Sequence, residues 1–198
     1  MNRRLATTAA ALCLLAATVA TAAPASAGEP AASGAPAVSG APTASPEAVA
    51  AGNASVGLHG SGNTVLDSRF STFEGDPVQL TIDARADTLK PLETTRGHFH
   101  VRHVHTDGRL VADFEGDITC LAVGGREAIA TGVVTKGEAP WFPGRPVVGQ
   151  KVALSVEDDG RHGDRIGWVW GFFGAPVSDC QGTVPFIRTT GGDFTVRG

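Results

Sequence analysis

Tyrosine is absent from this chain, methionine occurs once and cysteine three times. The missing tyrosine, the excess of arginine over lysine and the abundance of alanine, glycine and proline read as high-GC codon bias. They inform about the genome and leave the function untouched. The scarcity of cysteine says more. Cys13 lies within the apolar part of a leader, so only Cys120 and Cys180 would remain after its removal, and two cysteines in an exported chain read as one disulfide. No thiol is then left to serve as a nucleophile. The chain also lacks a Gly-x-Ser-x-Gly elbow, and Ser61 between Gly60 and Gly62 reads as a turn, so a serine hydrolase site has no foothold. Missing too are an internal repeat and any window with a 3.6-residue apolar period over helical length, which excludes the helical classes.

What the N-terminus does have is a leader. Met1-Asn2-Arg3-Arg4 is basic, an apolar stretch runs from Leu5 to Ala20, and Pro24-Ala25-Ser26-Ala27 offers an Ala-x-Ala site, so residues 1–27 read as a secretory signal peptide. The apolar stretch contains Thr7, Thr8 and Thr18 and falls short of the roughly 20 strongly apolar residues of a membrane span. The expected mature chain is therefore secreted, extracellular and without a transmembrane segment. Losing Arg3 and Arg4 leaves 14 basic against 20 acidic residues, a formal charge of −6, which argues against nucleic acid as a partner.

Residues 28–55 are almost entirely alanine, proline, glycine and serine, too poor in large apolar side chains to offset ordering entropy, and read as a disordered linker. Residues 56–198 suffice for one domain. Short alternating runs bounded by glycine and aspartate recur through it, at Val78–Ala84, His98–His105, Leu110–Val123, Glu127–Thr135, Lys151–Glu157, Arg165–Phe173, Gly182–Ile187 and Asp193–Arg197. The expected fold is all-β, a single antiparallel β-sandwich or small β-barrel.

Four of the six histidines fall in the run His98-Phe99-His100-Val101-Arg102-His103-Val104-His105. Thr106-Asp107-Gly108-Arg109 after it is a hairpin turn, since Asp-Gly readily supplies positive φ angles. A two-residue loop there sets His98 opposite Asp117, His100 opposite Glu115, Arg102 opposite Asp113 and Val104 opposite Val111 on one face. The other face carries Phe99 opposite Gly116, Val101 opposite Phe114, His103 opposite Ala112 and His105 opposite Leu110. A three-residue loop or a bulge would shift this register by one. Base faces acid at three successive pairs, which supports the register on its own.

The histidines thus split into two pairs on opposite faces. His98 and His100, with Glu115 and Asp117 across the hairpin, form the candidate ligand set for zinc or another divalent metal. The competing and ordinary reading is a solvated face of cross-strand ion pairs. For His103 and His105 the expectation is a hydrogen-bonded polar end to a core-facing row.

Lys151–Glu157 and Arg165–Phe173 pair as a second hairpin with Leu154 opposite Trp168 and Val152 opposite Trp170. Its loop from Asp158 to Asp164 contains Asp158, Asp159 and Asp164, a possible calcium cluster that lacks the spacing of an EF-hand. Trp168, Trp170 and Phe172 share one side of the strand and read as core. Trp141-Phe142 lies in a loop expected to fold over one end of the barrel.

The pattern Gly97-x-Phe99-x-Val101, Gly116-Asp117-Ile118-Thr119-Cys120-Leu121-x-Val123, Ala128, Gly132-Val133, Val156-x-Asp158-x-Gly160, Asp164-Arg165-Ile166-x-Trp168 and Gly192-x-Phe194-x-Val196 resembles a group of small exported β-rich proteins of actinobacteria, sometimes labelled repetin. It covers about Gly97 to Gly198 and implies a compact β-domain with a single disulfide. It transfers no catalytic residue. His98-Phe99-His100 also invites comparison with cupins, whose pattern expects an acid four residues after the second histidine, where Val104 stands. The functional expectation is a secreted, non-enzymatic binding or structural module with an extracellular ligand or cell-surface partner. The alternative is a secreted metal-dependent enzyme built on the His-x-His pair.

Overall fold

The computed structural model describes residues 55–198. The leader and linker expected over residues 1–27 and 28–55 lie outside it, save for Ser55, which opens the first strand. The domain is one continuous antiparallel sheet of nine strands, curled into a half-barrel. They are β1 (Ser55–Val65), β2 (Pro77–Asp87), β3 (Arg96–Val104), β4 (Leu110–Gly124), β5 (Glu127–Glu138), β6 (Lys151–Glu157), β7 (Arg165–Trp170), β8 (Ile187–Arg188) and β9 (Gly191–Arg197). The sheet order is β8-β7-β6-β5-β4-β3-β2-β1-β9, so sequential neighbours pair from β1 to β8 and β9 returns to pair with β1. A single curled sheet takes the place of the two stacked layers of a sandwich. Among the described residues no helix is long and apolar enough to cross a membrane.

Alternation builds the core. β2 is the plainest case: Val78, Leu80, Ile82, Ala84 and Ala86 turn inward, while Gln79, Thr81, Asp83 and Arg85 face water. β1 escapes sequence reading because glycine occupies positions where alternation would place side chains. A Cβ on Gly62 would come within 2.6 Å of the Phe194 ring, so the aromatic from β9 fills the space that β1 leaves. Gly116 on β4 serves Phe99 of β3 in the same way, with the ring 2.8 Å from a hypothetical Cβ.

Two bulges along the β4–β5 pairing, one with its extra residue at Thr135 of β5 and one at Thr119 of β4, sharpen the curl. The edges of the curled sheet are then drawn together. Thr64 Oγ1 on β1 donates to the Arg188 carbonyl at 2.9 Å and the Thr190 amide to Asn63 O at 2.7 Å. The loop between β6 and β7 contributes side chains where ladder bonds are missing. Asp164 Oδ2 accepts from the Phe194 amide at 2.7 Å, and Asp158 Oδ2 from the Val196 amide at 3.1 Å.

The expected strand Gly182–Ile187 contracts to Ile187–Arg188. Pro185 has no amide to give a ladder, and the segment before it crosses the outer side of the sheet, where a Cβ on Gly182 would lie 3.1 Å from Ile129 and one on Gly167 2.9 Å from Val184 O. Cys180 in this strap is joined to Cys120 of β4, their Cα atoms 5.2 Å apart, and the Cys180 amide donates to Thr131 Oγ1. The strand expected over Arg165–Phe173 ends at Trp170, and Gly171–Phe173 forms a 3-10 turn.

Two outcomes follow for stability. Replacing both cysteines by alanine should lower unfolding free energy by about 4 kcal/mol, the chain-entropy value for a closed loop of this size, in urea titrations. Asp164→Ala strands the buried Phe194 amide and should cost about 1–3 kcal/mol, with Asp164→Asn, which keeps one acceptor oxygen, costing less.

Candidate functional site

The β3–β4 hairpin holds the register written from sequence over most of its length: His98 pairs with Asp117, His100 with Glu115, Arg102 with Asp113 and His103 with Ala112. The turn, however, is a three-residue loop. The Gly108 amide bonds to His105 O, the His105 amide to Arg109 O, and Gly108 has φ 87°. Such a loop alone would slip the strands by one residue. A bulge between His103 and Val104 takes up the difference, so Val104 pairs with Leu110 where Val111 was expected. Two one-residue shifts cancel, and the faces of His98–His103 survive.

On the outer face the candidate metal ligands are dispersed among separate partners. His98 Nδ1 lies 2.8 Å from Asp117 Oδ1, and His100 Nε2 lies 2.7 Å from Asp113 Oδ1 rather than from Glu115. Asp113 also binds Arg102, and its carboxyl is held below the usual carboxylate range: burial pushes it up, but the hydrogen bonds from His100 and Arg102 outweigh that. Glu115 reaches Lys136 at 3.3 Å. Among the described residues no group of three or more histidine, cysteine, aspartate or glutamate side chains is arranged to hold a metal ion.

The calcium candidates are likewise committed elsewhere. Asp158 and Asp164 accept backbone amides, with Asp164 Oδ1 on the Asp159 amide at 3.2 Å, while Asp159 pairs with Arg126 at 2.9 Å. Burial raises the Asp164 carboxyl above its usual value against these amide bonds. Its role is to join loop to strand.

The concentrated chemistry lies on the inner side. Asp76, immediately before β2, is fully buried. Its Oδ2 is 2.8 Å from His103 Nε2, and its Oδ1 is 2.8 Å from His105 Nδ1 and accepts the Thr106 amide at 2.9 Å. A buried carboxylate needs such donors, and three converge on this one. Since a carboxylate only accepts, each neutral ring carries its proton on the nitrogen facing Asp76, leaving Nδ1 of His103 and Nε2 of His105 unprotonated. Burial lowers the His103 pKa, outweighing the pull of Asp76 in the other direction, so the neutral ring is favoured.

His103 lines a cavity of about 370 Å³. Val101, Ala112 and Phe114 contribute from β3 and β4, and Trp168, Trp170 and Phe172 from β7 and the turn after it. Phe70 and Phe73, from the 3-10 segment Ser68–Phe73, line it together with Phe142 and Phe173, Phe73 meeting the Phe142 ring edge-on at 6.0 Å. Phe114 packs edge to face against Trp170 at 5.4 Å and Phe142 against Phe173 at 4.8 Å, while Trp168, Trp170 and Phe172 stack in a row. Trp141 folds over the end as expected, 4.8 Å from His105 and with the Arg109 guanidinium 4.4 Å from its ring centre.

Sequence reading placed His103 and His105 on the inner face with a hydrogen-bonding role, and the aromatic row beside them. It missed Asp76. The pairing Val78 with His103 sets Asp76, two residues earlier, level with His105, but that register depends on a β2–β3 connection too irregular to yield one.

Because the unfolded chain binds the His103 proton more readily than the native state, the stability tied to the neutral ring is complete above about pH 6.5 and declines as pH falls below it. Urea midpoints between about pH 7.5 and pH 5.5 should fall in the parent and flatten in His103→Gln, whose amide still donates to Asp76. Asp76→Ala, which strands three donors, should cost more than any single substitution on the outer histidine face.

Compared with known proteins, the chain matches no family model, no curated protein and no solved structure, so the candidate site stands on its own geometry.

Proposed function

We propose that this is an exported extracellular binding module that takes a small apolar ligand into the aromatic cavity, with His103 as its one titratable contact. The observation that carries the reading is the composition of the cavity: about 370 Å³ bounded by aromatic and aliphatic side chains, with a single imidazole held in one tautomer by a buried carboxylate. Ligand pockets combine an apolar lining with a few placed polar groups in this way, and the volume falls in their usual range. The leader pattern and a disulfide support the extracellular setting. Binding without chemistry is favoured because no nucleophile adjoins the imidazole among the residues that line the cavity.

N-phenyl-1-naphthylamine, a neutral apolar fluorophore, tests the reading. Saturable enhancement at one site per chain is expected, with quenching of the Trp168 and Trp170 emission. Ala112→Phe, which places a ring in the cavity, should weaken binding at least about tenfold while far-UV circular dichroism is kept, and Ala112→Leu should do so by less. Absence of saturable binding, or binding unaffected by both substitutions, would overturn it.

A further inference from the structure

We propose that the ligand is a neutral alcohol or phenol whose hydroxyl donates to Nδ1 of His103. This rests on the cavity reading above and adds the chemical class of what enters. Nε2 of His103 is bound to Asp76 at 2.8 Å, and a carboxylate can only accept, so in the neutral ring Nδ1 is a bare lone pair. Nδ1 has no protein partner among the described residues, although the ring lines the cavity. A ligand that carries a donor can satisfy it. A hydroxyl supplies a donor for this lone pair, whereas an ether, a ketone or a hydrocarbon has none to offer. The Trp168 and Trp170 rings line the same cavity and give the ligand's apolar body its contacts.

Charge excludes the other common apolar ligands. A fatty-acid-like carboxylate would need a cation, and no lysine or arginine lines the cavity. Arg145, at the rim, donates to the Phe172 carbonyl at 3.1 Å and lies 5.3 Å from the Phe173 ring centre, and Arg109 lies over Trp141 outside the lining. The nearest charged group to the imidazole is Asp76, which would repel an anion.

Three molecules of one shape separate these possibilities: naphthalene, 2-naphthol and 2-naphthoate, each titrated against bound N-phenyl-1-naphthylamine at about pH 7.5, above the imidazole range. The expected order is 2-naphthol, about five- to tenfold tighter than naphthalene, with 2-naphthoate weakest. In His103→Gln, which keeps a donor to Asp76 but removes the ring nitrogen, the ratio of 2-naphthol to naphthalene affinity should shrink to less than about twofold, whatever the change in naphthalene binding itself. Equal binding of 2-naphthol and naphthalene by the parent would overturn the hydroxyl assignment and leave the apolar pocket standing. Tightest binding of 2-naphthoate would overturn it in favour of a protonated His103 or a freed Arg145. Failure of all three to displace the fluorophore would overturn both readings.

Discussion

A sheet that runs as a meander has two open edges, and here they are reconciled by carboxylates in place of a regular ladder. The β6–β7 loop lays Asp158 and Asp164 against the amides of Val196 and Phe194, and the short β8 passes directly into β9 through Thr189-Thr190. Unpaired strand edges invite association with other chains, and buried amides without acceptors are costly. Everything else depends on this closure. The inward rows of β2, β3, β4, β6 and β7 converge on a common interior only because the sheet curls, and the aromatic cavity is the part of that interior left unfilled at one end. Acidic side chains that resemble an ion-binding loop in sequence are thus structural, joining distant parts of the chain through backbone groups.

The two faces of β3 illustrate how the same residue type takes on different chemistry through its surroundings. His98 and His100 stand in partly exposed contacts with Asp117 and Asp113, where solvent competes for the same groups and the contribution to stability is small. His103 and His105, only 14% and 17% exposed, share one fully buried carboxylate and a backbone amide. In that setting the shared carboxylate fixes how each ring is turned. Sequence spacing alone favours the outward pair as metal ligands. Burial transfers the interest to the inward pair.

Much of the fold was legible because alternation and turn chemistry are local signals. The bounds of β6, the β6–β7 loop and the pairs Leu154–Trp168 and Val152–Trp170 follow from them, as does the split of the histidines. The failures share a cause, namely that a distant part of the chain decides the outcome. β1 is invisible because Phe194, more than 130 residues away, supplies the bulk that Gly62 lacks. The strand expected at Gly182–Ile187 is redirected by Cys120 and by the outer surface of β5 and β6. Asp76 joins its histidines through the β2–β3 register. The compensated slip at His103/Val104 is a special case, since two departures from the expected hairpin restored its faces.

The pairing of β9 with β1 has a consequence for how the molecule comes into being. Strands β2 to β8 can each be laid down on the strand before, as soon as it emerges, because every pairing among them joins sequence neighbours. β1 differs: its second edge stays unpaired until residues 191–197 arrive, and the amides that Asp158 and Asp164 accept belong to those same residues. A partly synthesised chain is therefore kept open along one seam until residues 191–197 are made, so that the closing of the fold waits on β9.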